Sequence, residues 1–543
     1  MQRIFVSSLI VLLCSTFVFS AKVKPTKNVI VMIPDGTSLS VLSASRWLQT
    51  YRNEGTKLAI DPYLCGTVTT FCSNAPIGDS APTTSCFMTG IAQQAGNISI
   101  YPVADPKNDL VKLNPDSAYQ PLATILEAMK IEQKKAAGLV VTCEFPHATP
   151  ADCAAHTYSR KKYDIIAPQM AYNNLDVVIG GGNDFVSDEM KQHFKNNGTT
   201  LVQNDKNALL NFSGNKIWAI YDKRDVPFDL DRDTTKIPSL AQATSKAIEV
   251  LEKNKNGFFL MVEGSKIDWA AHANDPVAMM SEYLAFDKAV AVVMDYARKM
   301  GNTTVVILPD HGNSGFSIGR KDLSNYAGTS IEKLFGTASK VKFTAVGIEQ
   351  RLKTAEPSAL KETFKALTGI ELTDKEDSAF HKAKSANNTD YTEAGEGESL
   401  SNLITKTLNS RMYFGFTTTG HTGEEVFLAA YHPKGHIPTG NLRNNEINSY
   451  LFKAAGLKKP LQTLTSEIYA RHTDVFKGMS MTINKNGKTP ELVVKNGTKT
   501  LVIPAYSSIV SFNGNNQSIG SVTVYVDKTN TFYLSAKLYD LMK

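Results

Sequence analysis

The chain has 543 residues, 42% hydrophobic and 20% charged, which excludes a disordered, collagen-like or disulfide-scaffold protein and leaves a large globular one of roughly two to four domains. Its 58 basic and 52 acidic residues leave a net charge of +6, too dilute to argue for specific nucleic-acid binding.

The first element is the apolar run Ile4 to Phe19, preceded by Arg3 and followed by the basic stretch Ala21-Lys22-Val23-Lys24. It reads as a signal peptide over residues 1–21, cleaved near Ser20, that exports the chain to a periplasmic or secreted location. An uncleaved anchor competes with this reading, as does a lipoprotein cleaved before Cys14, which bulky Leu13 opposes. No second segment is long enough to span a membrane once the leader is removed. An oxidising compartment leaves Cys65, Cys72, Cys86, Cys143 and Cys153, enough for at most two bridges, with Cys65–Cys72 and Cys143–Cys153 as the short-loop pairings. Their spacing fits no cysteine zinc site.

From Lys27 onward, short apolar runs alternate with amphipathic stretches, the pattern of a mainly parallel sheet flanked by helices, an α/β fold. Four runs end in polar residues. Asn28 to Ile33 leads to Pro34-Asp35-Gly36, and Gly138 to Thr142 leads to His147-Ala148-Thr149-Pro150. Gly257 to Val262 leads to Glu263-Gly264, and Thr303 to Leu308 leads to Pro309-Asp310-His311. Ligands bind at the carboxyl ends of strands in open α/β sheets, so these groups are expected along one edge. The polar stretch 319–419 shows few strand signals and reads as an insertion or flap near the site. The catalytic unit is expected over 22–477. Over 478–543, short alternating runs separated by Asn486-Gly487, Asn496-Gly497 and Asn513-Gly514 indicate a small antiparallel β module.

The chemistry-bearing residues begin with Asp35, which alone fits a turn before Gly36. In Gly78-Asp79-Ser80-Ala81-Pro82, Ser80 stands in the first turn of a helix, where backbone N–H groups and the dipole favour negative charge, although an ordinary cap explains it equally well. Thr149-Pro150 starts a further helix that is expected to carry Arg160 about three turns along, where a guanidinium could clasp two phosphate oxygens. Asp268 and His272 stand four apart, so on a helix they share a face about 5 to 6 Å apart and can grip one cation or form a surface ion pair. Asp310-His311 follows the most apolar strand, and His421 lies in a loop of small residues.

Together and in order, these segments resemble alkaline phosphatase. The resemblance runs through Asp35-Gly, Asp79-Ser80-Ala, His147-Ala-Thr149-Pro, Arg160, Glu263-Gly-x-x-Ile-Asp268-x-x-x-His272, Asp310-His311 and His421-Thr-Gly-Glu, from about Lys27 to Leu457. It implies a metal-dependent hydrolase of phosphate monoesters with two Zn2+ and one Mg2+. Ser80 would be the nucleophile and Arg160 the phosphoryl clamp. Asp268, His272 and His421 would bind one zinc, and Asp35, Asp310 and His311 the other. Asp35, Thr149 and Glu263 would hold the third ion, and a homodimer is among the assemblies the resemblance allows. Asp79, His147 and Trp269 would lie beside substrate or ligands. His147 stands where some members carry Asp, and Trp269 where others carry Lys or His, which leaves the third ion's identity open. His156, His432 and His436 read as structural or surface residues, with His436 able to approach the site. The competing functions are a phosphodiesterase or sulfatase of the same superfamily, or a non-catalytic phosphate-binding surface protein.

Overall fold

The computed structural model describes residues 23–384 and 399–543. The apolar leader, its cleavage site and Cys14 lie outside the described residues. The central sheet has ten strands: β1 (Asn28–Pro34), β2 (Leu64–Thr69), β3 (Ala136–Glu144), β4 (Val177–Gly181), β5 (Thr200–Gln203), β6 (Ile217–Tyr221), β7 (Phe258–Gly264), β8 (Thr303–Ile307), β9 (Val426–Tyr431) and β10 (Gly440–Arg443). Their order is β10-β2-β9-β8-β1-β7-β3-β4-β6-β5. Only β9 runs against the rest, pairing antiparallel with both β2 and β8.

Every residue of β1, β3 and β7 is buried because helices cover both faces, which is why these strands are continuous apolar runs rather than alternating ones. One face packs Ile30, Met32, Leu260 and Val262, and the other packs Val29, Val31, Phe259 and Met261. Residues 331–410 contribute helices Ile331–Lys340, Ala345–Thr354, Leu360–Thr368, Asp374–Lys384 and Leu400–Ser410. Their apolar stripes, including Phe335, Leu352, Phe364 and Leu408, join the core on the first face. The described part of 319–419 is thus mainly helical and packed on the core.

At the C-terminus, strands Ser480–Asn484, Glu491–Asn496, Lys499–Pro504, Ile509–Phe512 and Asn515–Ser518 form an antiparallel meander around Leu492, Val494, Leu501 and Ile503. Asn513 and Gly514 both take positive φ, 49° and 86°, as a tight two-residue hairpin turn requires. Thr531–Leu534 instead forms the centre of a separate three-stranded sheet, pairing with Ala470–Arg471 on one side and Val524–Val526 on the other.

The disulfide pairings expected from spacing are not formed: Cys65, Cys72, Cys86, Cys143 and Cys153 are all free. The thiols turn to other partners, Cys72 to the Ile77 carbonyl, Cys143 to Glu263 and Cys153 to the Thr149 carbonyl. Among the described residues, no helix is long and apolar enough to cross a membrane.

Candidate active site

The parallel strands deliver Asp35 just past β1, Glu263 in the last paired residues of β7 and Asp310-His311 past β8, all at their carboxyl ends. His421 joins them because β9 is reversed, so the loop before β9 lies at the same edge. Helix α1 (Ser80–Thr89) enters from β2 with its amino end at this edge, and α2 (Ala148–Ala154) follows β3. Helix α3 (Lys266–His272) follows β7 and presents Asp268 and His272 on one face, with His272 Nε2 3.4 Å from Asp268 Oδ2. The path into this turn is tight. Gly36 has φ +58°, and a Cβ there would lie 2.8 Å from Asp268 Cβ and nearer still to Oδ1.

Ser80 is 2% exposed at the first position of α1, and its Oγ lies 3.4 Å from both Asp35 oxygens and 3.3 Å from His311 Nε2. His311 Nε2 also lies 3.4 Å from Asp35 Oδ1 and 3.5 Å from Asp310 Oδ2. Asp310 is oriented through Oδ1, which accepts from the Gly36 and His311 backbone N–H groups at 3.0 Å, leaving buried Oδ2 without a hydrogen bond.

The three imidazoles are oriented alike. His311 Nδ1 faces the Gly312 carbonyl at 3.0 Å, His421 Nδ1 the Gly78 carbonyl at 2.9 Å, and His272 Nδ1 the Thr419 carbonyl at 2.6 Å. A carbonyl only accepts, so each Nδ1 carries a hydrogen and each Nε2 turns inward, the orientation that metal-binding histidines adopt. His272 and His421 bring their Nε2 atoms to 3.1 Å, a contact that needs a shared cation or proton. Asp268 Oδ1 accepts from Asn313 Nδ2 at 2.7 Å, which holds that carboxylate in place. Donor atoms of Asp268, His311 and His421 converge within 4.8 Å, as do those of Asp35, Asp310 and His311. This mix of imidazole and carboxylate suits two zinc-type ions. Glu263 Oε1, on a carboxylate close enough to Asp35 to raise it, and Thr149 Oγ1 are each buried and without a hydrogen-bond partner, the kind of donor that suits another cation.

The electrostatics agree. Asp35 is held well above the usual carboxylate range by burial and then by Asp310, Asp268 and Glu263, and Glu263 is pushed up to about 8 by burial and Asp310. Burial opposes the charge on Asp268, yet His272, His421 and His311 hold it well below the usual range. His272 rises to about 9 because Asp268 overcomes its burial, while burial and His311 lower His421 to about 4. Without a cation, protons fill that role.

Arg160 does not extend a helix. The helix from Ala148 stops at Ala154, and the chain bridges back through Thr157 to Ile98 before Arg160. This detour brings the guanidinium to Asp79, with Nη1 2.6 Å from Oδ1, and Nη2 to 3.0 Å from His147 Nε2. His147 meets Trp269 edge-on and is held down to about 3 by burial and the Arg160 charge. Burial opposes the charge on Asp79, yet Arg160, His311 and His421 together lower it below the usual range. A cleft of about 730 Å3 opens over Ser80, Arg160, His147, Trp269, His272 and His421. Glu144, Tyr163, Arg224 and Asp225 also line it, none of them singled out from sequence. Asn313, equally unforeseen, had only its position two residues after His311 to suggest a role. His436 is not at the site: it stacks on His432, and its Nδ1 accepts from the Lys24 N–H. His156 is buried with Glu127 and Tyr469.

The alkaline phosphatase family profile matches residues 26–457. The chain is 35% identical to alkaline phosphatase 3 of Bacillus subtilis over 447 residues, covering 79% of this chain and 88% of that one. It is 27% identical to the repressible alkaline phosphatase of Saccharomyces cerevisiae, covering 80% and 82%. Among solved structures, the cold-active alkaline phosphatase of a psychrophilic Shewanella aligns with TM-score 0.68 and 26% identity, covering 80% of this chain and all of that one. A structure from Thermus thermophilus aligns with TM-score 0.69 and 22% identity, covering 80% and 92%, and bears on the fold alone. With the profile spanning most of its length and a relative above 30% identity, the chain belongs to the alkaline phosphatase family.

Proposed function

We propose that this phosphoric monoester hydrolase transfers the phosphoryl group to Ser80 and then to water, at a centre holding two Zn2+ and one Mg2+. The observation that carries the reading is the convergence of His272, His311 and His421, each with Nδ1 tied to a carbonyl and Nε2 turned toward carboxylates beside Ser80. Asp268, His272 and His421 would hold one zinc, Asp35, Asp310 and His311 the other, and Asp35, Thr149 and Glu263 the third ion. When bound, these ions supply Lewis acidity that lowers the pKa of a hydroxyl or water and stabilises a departing oxygen.

The chain's own residues do the positioning. Arg160, freed from Asp79 and His147 as substrate arrives, offers two N–H donors to non-bridging phosphoryl oxygens. The amino end of α1 adds its partial positive charge where Ser80 Oγ attacks. Ser80 Oγ gives up its proton to solvent, a Ser80 O–P bond forms as the ester O–P bond breaks, and the leaving oxygen takes a proton from solvent. Water then attacks phosphorus from the vacated side, releasing phosphate and restoring the Ser80 hydroxyl. Arg160 and the Thr149–Glu263 pair favour a monoester dianion over a diester or sulfate ester. The leader Ile4 to Phe19 adds export to the proposal, which N-terminal sequencing of the mature protein tests.

The test of function is hydrolysis of a phosphate monoester, a diester and a sulfate ester side by side, together with trapping of the phosphoenzyme. Monoester turnover should dominate, and Ser80→Ala should abolish the phosphoenzyme while retaining bound zinc. Faster diester than monoester turnover, or a phosphoenzyme persisting in Ser80→Ala, defeats the proposal.

A further inference from the structure

At the end of β3, side-chain alternation carries Cys143 onto the face of Leu139 and Val141, and on the adjacent β7 it carries Glu263 onto the face of Phe259 and Met261. Both faces belong to one buried cluster, so the thiol and the carboxylate meet: Cys143 Sγ lies 3.7 Å from Glu263 Oε2. Sγ, a His147 ring nitrogen and a Glu263 oxygen fall within 4.8 Å of one another, and all three residues are buried. Two further atoms of these residues are buried and without a hydrogen-bond partner: Glu263 Oε1 and His147 Nδ1. Unpaired polar groups in a dry interior cost free energy unless a ligand satisfies them, and here they gather around a sulfur.

We propose that Cys143 is a thiolate ligand of the third cation site, which makes that site selective for zinc over magnesium. The inference rests on the metal-centre reading above, adding a ligand and changing the ion. A set of oxygen donors suits magnesium, which demands octahedral oxygen coordination and sheds water reluctantly. A set of thiolate, imidazole and carboxylate suits a softer, four-coordinate ion. On binding, the Cys143 thiol loses its proton to solvent and forms the sulfur–metal bond. Arg160 Nη2 only donates, so His147 Nε2 accepts and Nδ1 carries the ring hydrogen. Coordination through Nδ1 moves that hydrogen to Nε2, and Arg160 leaves the imidazole.

The probe is Co2+, added stepwise to the reduced, metal-free full-length protein while near-ultraviolet absorption and bound cobalt are recorded. A thiolate-to-cobalt charge-transfer band should grow with the third equivalent in the unmodified protein and be absent from Cys143→Ser and Cys143→Ala, which still bind the first two. In the zinc-loaded protein, the third zinc should withstand Mg2+ in large excess. In Cys143→Ser its affinity should fall by more than the about 10- to 100-fold that outer-sphere changes cost. Three bound cobalt ions without the band, a band that survives in Cys143→Ser, or ready displacement of the third zinc by magnesium overturns the assignment. A protein that fills two sites and never a third overturns it while leaving the zinc pair standing. Failure to bind any cobalt removes the metal-centre reading along with it. Should both variants fail to fold, the band and the magnesium competition in the unmodified protein still decide.

Discussion

Stripping the metals should make stability fall as pH rises from 6.5 to 9. In the metal-free folded state, Glu263 is pushed up to about 8 and His272 to about 9, against ordinary values of 4.5 and 6.5. Both folded values lie above the unfolded ones, so each contribution is complete below the unfolded value and is lost as pH rises through the folded one. From pH 6.5 to 8 the folded chain holds two protons that the unfolded chain has released, and from 8 to 9 it holds one. At about 1.36 kcal/mol per proton per pH unit, the loss across the window reaches about 5 kcal/mol. That is an upper limit, because His272 is 24% exposed and solvent screens it. Asp35, raised by burial and by Asp310, acts in the same direction. In the metal-loaded protein, ligands that carry no protons contribute no such slope. Other groups also titrate: Glu282 is raised to about 7 by burial and Asp229, and Lys135 is lowered to about 8 by burial. They lie outside the site and cancel when loaded and chelated protein are compared at each pH. Denaturant unfolding of the two forms from pH 6.5 to 9 makes the comparison. A stability difference that stays flat or shrinks as pH rises refutes the reasoning.

Two further outcomes follow from single contacts. Arg160→Ala should lower kcat/KM for monoesters by about 10- to 100-fold, the worth of a charge-assisted hydrogen bond of about 1.5–3 kcal/mol, with Arg160→Lys recovering only part of it; steady-state kinetics within twofold of the unmodified enzyme would exclude the clamp. Gly36→Ala places a methyl group against Asp268 at φ +58°, so it should cost at least about 1–2 kcal/mol of stability and weaken zinc retention, read by denaturation and metal analysis; unchanged metal content would show that Asp268 does not depend on that close approach.

Residue type and chain order made much of the site legible. Asp35, Glu263 and Asp310 each follow an apolar run that proves to be a buried parallel strand, so the expectation of one polar edge needed only strand direction. Asp268 and His272 needed only helical spacing. Arg160 shows where local patterning ends: counting turns from Pro150 placed it on a helix, whereas the bridge between Ile98 and Thr157, over fifty residues apart, sets its position. Cys143 was legible only as one of five cysteines, because what gives it meaning is the β3–β7 register, a non-local pairing. The helices of 331–410 were obscured by a polar surface that hides a narrow apolar stripe at helical spacing.

His421 depends on topology most of all. Had β9 run parallel to its neighbours, the loop before it would have emerged at the opposite edge, a strand length from Asp268. Because β9 alone is reversed, its leading loop returns to the polar edge, and Thr419 and His421 close the centre from the side opposite β7. The same reversal lets Gly312–Asn313 pair antiparallel with His421–Thr422, which ties the loop carrying Asp310 and His311 to the loop carrying His421. His421 within this short ladder and His311 directly before it, more than a hundred residues apart in the chain, are thus brought together, and their rings stack with centroids 3.7 Å apart. A change in this ladder therefore moves donors of both proposed zinc sites together. This predicts cooperative loss of the two ions when Asn313, which also holds Asp268, is replaced by alanine; stepwise, independent loss on chelator titration would contradict the coupling.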